Sequence, residues 1–198
     1  MNTLETISKR RSIRKFQDKE IPKEMIEKIL DAATQAPSPK NLQPWKFIVV
    51  TKSNKETMLQ VMRSGIENSK ERMKDFPDIN HFLASAINST RVMKEAPITV
   101  FVFNTVDDHT WVERRMEFRL SECANTQSIG AAIENMLLAA ESLGIGSLWI
   151  CDIFFAYQEI CHWLDEKCQL VAAIALGYAD ENPNERPRKM IDNVVQWR

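Results

Sequence analysis

A single domain that mixes helices with strands is what this sequence predicts, and three observations carry the prediction. Four short apolar runs have the length of strands: residues 45–50, 98–103, 148–151 and 170–176. Between them lie longer stretches whose apolar residues recur at helical spacing, most clearly over 127–143. The 198 residues suit one domain, taken here as 1–198, which buries a core without disulfides or metals. A glycine-rich dinucleotide fold is excluded. Gly144-Ile145-Gly146 lacks a third glycine and precedes a strand instead of a helix.

Residues 2–10 read as a short helix, with Asn2 and Glu5 at capping-box spacing. Arg10-Arg11-Ser12-Ile13-Arg14-Lys15 follows, with four cations and a hydroxyl in six residues. Guanidinium forks match phosphate oxygens, and the hydroxyl adds a donor. The alternative is a solvated basic patch. A second helix has Pro22 in its first turn and an apolar stripe of Met25, Ile26, Ile29, Leu30 and Ala33.

Next comes the stretch from Ala36 to Trp45. Pro37, Pro39 and Pro44 fix φ, and they push Ala36, Ser38 and Gln43 toward extended backbone. Ser38, Lys40, Asn41 and Gln43 put a hydroxyl, an ammonium and two amides on this stiff loop. Such a loop suits a flat polar ligand, or it merely connects a helix to a strand anchored by Trp45. Residues 45–50 then read as a buried strand.

Residues 53–95 are helical in character but irregular. Ile98 to Phe103 reads as a central strand. Residues 106–119 read as a helical excursion or lid, in which Trp111 and Phe118 either stack on an aromatic substrate or pack inward. The helix over 127–143 is apolar on more than one face, as a central helix is, and Gly144 suits its C′ position. A strand at 148–151, a helix at 153–164 and a buried strand at 170–176 follow. The rest, 178–198, reads as an extended arm. Alternate residues of an extended segment face the same way, so Arg186 and Arg188 project together. Two arginine clusters thus stand at opposite ends of the chain.

A formal net charge of -1 gives no reason to expect nucleic acid or an anionic membrane as partner. No run has the length of a membrane span. Residues 1–11 show no apolar leader core, and the four cysteines form no CxxC pair, which points to a reduced, cytoplasmic protein. Neither His109 nor Cys161, His162 and Cys168 has the spacing of a metal site. No Ser/His/Asp or Cys/His constellation is visible, so no side chain is assigned a catalytic role.

Taken together, four pieces resemble the nitroreductase-like family of FMN flavoproteins. They are Arg10 to Arg14, Pro37 to Trp45, Ser128 to Ala140 running into Leu143-Gly144-Ile145-Gly146, and Arg186-Pro187-Arg188. The resemblance implies an α+β fold, a mostly antiparallel sheet packed between helices, and an intertwined homodimer with FMN at the interface. It implies that Arg10, Arg11, Ser12 and Arg14 bind the phosphate, ribityl chain and ring edge, and that Arg186 and Arg188 close on the phosphate. Pro37, Ser38, Pro39 and Asn41, with Gln43 beside them, would reach the partner's FMN. Trp149, Ile150 and Cys151 would run along the isoalloxazine, where relatives place a backbone N–H near N5; many of them carry Pro-Ile-Glu-Gly here. The implied activity is reduction of an acceptor such as a nitroaromatic or quinone by NADH or NADPH, with ping-pong kinetics and the flavin carrying the chemistry. Alternatives on the same frame are a dehalogenase, an azoline oxidase, a flavin-cleaving enzyme or a non-catalytic FMN store.

Overall fold

The computed structural model describes residues 2–108 and 116–198, and shows an antiparallel four-stranded sheet between two helical layers. Helix α1 (Thr3–Lys9) has the expected capping box. Helix α2 (Lys23–Thr34) follows Pro22, and β1 (Trp45–Val50) follows the proline-rich loop. The irregular region resolves into two helices, α3 (Lys55–Arg72) and α4 (Ile79–Glu95). Strand β2 (Ile98–Asp108) leads to α5 (Met116–Ser142), which ends at Gly144 with φ +75°. Strand β3 (Gly146–Ile150), a 3-10 turn (Asp152–Ala156), helix α6 (Tyr157–Trp163) and strand β4 (Cys168–Gly177) complete the body.

The strand order is β1-β2-β4-β3, with every neighbour antiparallel. Alternation along β2 sorts its side chains between two cores. Ile98, Val100 and Val102 face α2 and the Ile129, Ile133 and Met136 stripe of α5. Phe101 and Phe103 face the other layer, made by α3, α4 and α6. That second layer sits close because α3 carries Gly65. A Cβ there would lie 2.4 Å from the Cα of Ala156.

Three expectations are corrected. Strand β1 is only partly covered, with Val50 alone buried, because it lies at a sheet edge. Gln43 is left-handed (φ 50°), not extended, as are Lys40 and Asn41. The loop reverses tightly, with Asn41 N–H bonded to the Ser38 carbonyl and Gln43 N–H to Ser38 Oγ at 2.9 Å. The helix read over 127–143 begins eleven residues earlier, at Met116. Of the 106–119 excursion, β2 takes the start and α5 the end. Trp111 lies outside the described residues, as does the side chain of Phe118. Among the described residues no helix is long and apolar enough to cross a membrane.

Candidate functional site

Leaving α1, the chain runs out along the free edge of β3. Ser12 forms a parallel bridge with Ser147, and Ile13 N–H donates to the Ser147 carbonyl at 2.9 Å. This approach requires Gly146, where a Cβ would stand 2.9 Å from Ile13 Cγ1. The arm after β4 then folds back beside the same segment. Phe16 bridges Ala179, Gln17 N–H donates to the Tyr178 carbonyl, and Asp180 N–H donates to the Lys15 carbonyl.

That stitching brings the two ends of the chain together. Arg10, Arg11, Ser12 and Arg14 form one wall of a cleft of about 190 Å³, and Arg186 and Arg188, with Pro183 and Asn184, form the other. Arg10 pairs with Glu134 of α5 and Arg11 with Glu185, both at 3.6 Å. Glu181 accepts from the Arg14 backbone N–H. Arg186 and Arg188 have no ion-pair partner among the described residues, and the Ser12 hydroxyl donates to none. Five guanidinium groups against three carboxylates, Glu134, Glu181 and Glu185, leave the cleft positive. A dianionic phosphate fits both its charge and its donor set.

The free edge continues from the cleft. In a strand, a residue's N–H and C=O point to the same side, and successive residues alternate. The Ser147 carbonyl faces Ile13, away from β4. Trp149 and the N–H of Cys151 therefore face the same open edge, spanning ~13 Å from Ser147 at the usual rise of a strand. Trp149 is 38% exposed and lies against Gly130 of α5. Ile150 turns its side chain into the core and its backbone toward β4, so it presents neither to the edge. Cys151 is exposed as a residue but its thiol is partly desolvated, and that desolvation, then the charge of Asp152, raises its pKa. Asp152 turns away from the edge. Its Oδ2 accepts from Ser85 Oγ at 2.8 Å and Ser89 Oγ at 2.9 Å, both on α4.

The proline-rich loop is not part of this cleft. Pro37, Ser38, Pro39, Asn41 and Gln43 precede β1, at the opposite edge of the sheet. Three inter-strand spacings, ~14 Å, separate the two edges. The structure thus joins both arginine clusters and β3 within one chain and leaves the loop apart.

Burial, then Glu166 and Cys168, push the Cys161 thiol up to about 12. Among the described residues no cluster of three or more His, Cys, Asp or Glu side chains can hold a metal ion.

Sequence reading missed the clamp of Ser85, Ser89 and Asp152. The serines recur at i and i+4, a spacing that puts them on one helical face, but nothing in the sequence ties that face to Asp152. It also missed Pro183 and Asn184, which reach the cleft only because the arm folds back.

Comparison with known proteins places the chain and its fold among relatives. The sequence profile described as "Nitroreductase family" matches residues 7–178. A protein of Methanothermobacter thermautotrophicus, named "Putative NADH dehydrogenase/NAD(P)H nitroreductase", is 32% identical over 191 residues, covering 94% of this chain and 82% of that protein. The crystal structure of a BluB-like flavoprotein from Clostridium difficile superposes with a TM-score of 0.84 at 28% identity, covering 100% of this chain and 99% of that one. The FMN-dependent nitroreductase NfnB of Mycobacterium smegmatis, solved in complex with NADPH, shares the fold with a TM-score of 0.79 at 21% identity, covering 99% and 98%.

Proposed function

The chain belongs to the nitroreductase family, and from that premise we propose that it is an FMN-dependent NAD(P)H oxidoreductase reducing an acceptor such as a nitroaromatic or quinone. The observation that carries this reading is the positive cleft, which gathers Arg10, Arg11, Ser12, Arg14, Arg186 and Arg188 at the head of an open strand edge. The cleft holds the cofactor's phosphate. The edge beyond it, with Trp149 and the Cys151 N–H, lies along the ring. When bound, FMN would supply two-electron acceptance and donation, which predicts ping-pong kinetics with nicotinamide and acceptor using the site in turn. Positive charge near the ring, from Arg14 or Lys40, would favour the reduced, anionic cofactor.

The active unit is a homodimer of this one domain. Two features support that. The loop from Pro37 to Gln43 stands at the sheet edge opposite the cleft, so it reaches a cofactor only on a second chain. The arm ends in Met190, Ile191, Val194 and Trp197, all largely exposed, with Trp197 at 89%. Burying such side chains is worth ~1.5–3 kcal/mol each, and a partner subunit supplies the surface. The four cysteines are free thiols, which suits the cytoplasm.

A second reading, a specialised flavoprotein of the same fold (dehalogenase, azoline oxidase or flavin-cleaving type), draws on the 28% identity to a protein described as a flavoprotein instead of a nitroreductase. One experiment separates them. The protein is incubated with FMN, desalted, and its absorption spectrum followed anaerobically with NADH and NADPH, then with a nitroaromatic or quinone. Bleaching within seconds and recovery on adding acceptor support the oxidoreductase. Bound flavin that neither nucleotide bleaches favours the second reading or an FMN store. A colourless protein refutes both.

A further inference from the structure

We propose that Asp152 is a positioning residue for the cofactor: through Ser85 and Ser89 it fixes the Cys151 backbone N–H at the ring. This rests on the reading that the β3 edge lies along the flavin.

The argument begins at the end of β3. Cys151 is the last residue whose N–H direction the strand dictates; its own backbone is already helical (φ -100°, ψ -21°). Past that point a strand end is held only by what its next residues grip. Here the next residue grips hard. One oxygen of Asp152 accepts two hydroxyl hydrogen bonds, 2.8 Å from Ser85 and 2.9 Å from Ser89. The serines are one turn apart on α4, and Ser89 is buried. Helix α4 is itself set in the layer beneath the sheet by Leu83, Ala86 and Met93. The 3-10 turn after Asp152 cannot slide, because Ala156 sits against Gly65 of α3. The Cys151 N–H is thus aimed by a carboxylate clamp on one side and by the strand on the other. Two hydroxyl hydrogen bonds that converge on one oxygen suit a fixed part of a site more than a mobile one.

The experiment compares D152A, D152N and the S85A/S89A double variant in the full-length, FMN-loaded protein. The readouts are the FMN dissociation constant, the absorption spectrum and the midpoint potential of the bound flavin. D152A and S85A/S89A are expected to raise the dissociation constant about tenfold and to shift both the potential and the absorption maximum. D152N keeps an oxygen that accepts from both serines and is expected to restore values close to wild type. A D152N protein as altered as D152A overturns the proposal, because charge and not the clamp would then matter. Wild-type spectrum and potential in S85A/S89A also overturn it, including where D152A does not fold. Wild-type protein that binds no FMN refutes the functional reading itself, whereas FMN binding with unmoved variants refutes only the clamp.

Discussion

Ser12 and Ser147 form a parallel bridge across the free edge of β3. This contact lays an arginine-rich segment from the start of the chain along a strand from its last third. The arm after β4 then adds two more arginines. A phosphate site and an open row of backbone groups become one continuous surface.

Arg186→Ala removes a guanidinium that no carboxylate neutralises among the described residues. A charge-assisted hydrogen bond is worth ~1.5–3 kcal/mol, so the FMN dissociation constant should rise on the order of ten- to a hundredfold. The loss should be larger at low salt than at high salt. Glu185→Gln acts the other way, because Glu185 competes for Arg11; being largely exposed, it should tighten FMN only a few-fold. Fluorescence titration at two ionic strengths checks both. Equal affinity in Arg186→Ala and wild type would remove the arm from the site.

Gly65→Ala places a Cβ 2.4 Å from the Ala156 backbone, which has no flexible end to swing aside. Overpacking costs ~1–3 kcal/mol, against a helix-propensity gain of up to ~1 kcal/mol. The net expectation is a lower urea midpoint. A midpoint at or above wild type would show that α3 has room to move.

Glu166 is nearly buried beside Lys46. Burial raises its pKa, but hydrogen bonds from Lys46 and Cys168 outweigh that and hold it below 4.5. Lys46 is raised above 10.5 by its hydrogen bond to Glu166. A depressed carboxylate stabilises the fold above its unfolded pKa and loses that contribution as pH falls through the folded value. A raised ammonium contributes below its unfolded pKa and loses it as pH rises through the folded value. The pair therefore stabilises across the neutral range, by about 1 kcal/mol since Lys46 is half exposed. Thermal melts of wild type and Glu166→Gln should differ at pH 7 and converge well below pH 4.5. A gap that persists at pH 3 would mean that packing, not charge, is lost.

Deleting residues 190–198 removes the exposed Met190, Ile191, Val194 and Trp197 but leaves Arg186 and Arg188. Sedimentation should show a dimer for the full chain and a shift toward monomer for the truncated one, with weaker FMN binding. A truncated protein that stays dimeric would place the interface elsewhere.

Elements whose signals are local could be read from the chain alone. The capping box of Asn2 and Glu5, the apolar stripe of α2, the apolar runs of the four strands and the left-handed Gly144 each act within a few residues. Those were legible, as was the pairing of Arg186 with Arg188, because alternation along an extended chain needs no tertiary contact. Tertiary structure alone decided the rest. Residues 116–126 are too polar to announce a helix and are carried by the apolar half of α5. Gln43 precedes a proline, yet the Ser38 hydroxyl bends it into the left-handed region. Whether two basic clusters are one site or two patches depends on where the arm returns, which Gly146 and the β3 edge settle by letting residues 12–17 lie between them. The hold of Ser85 and Ser89 on Asp152 joins side chains more than sixty positions apart. No local pattern encodes such a contact, because its energy comes from a geometry that exists only after the two layers have packed.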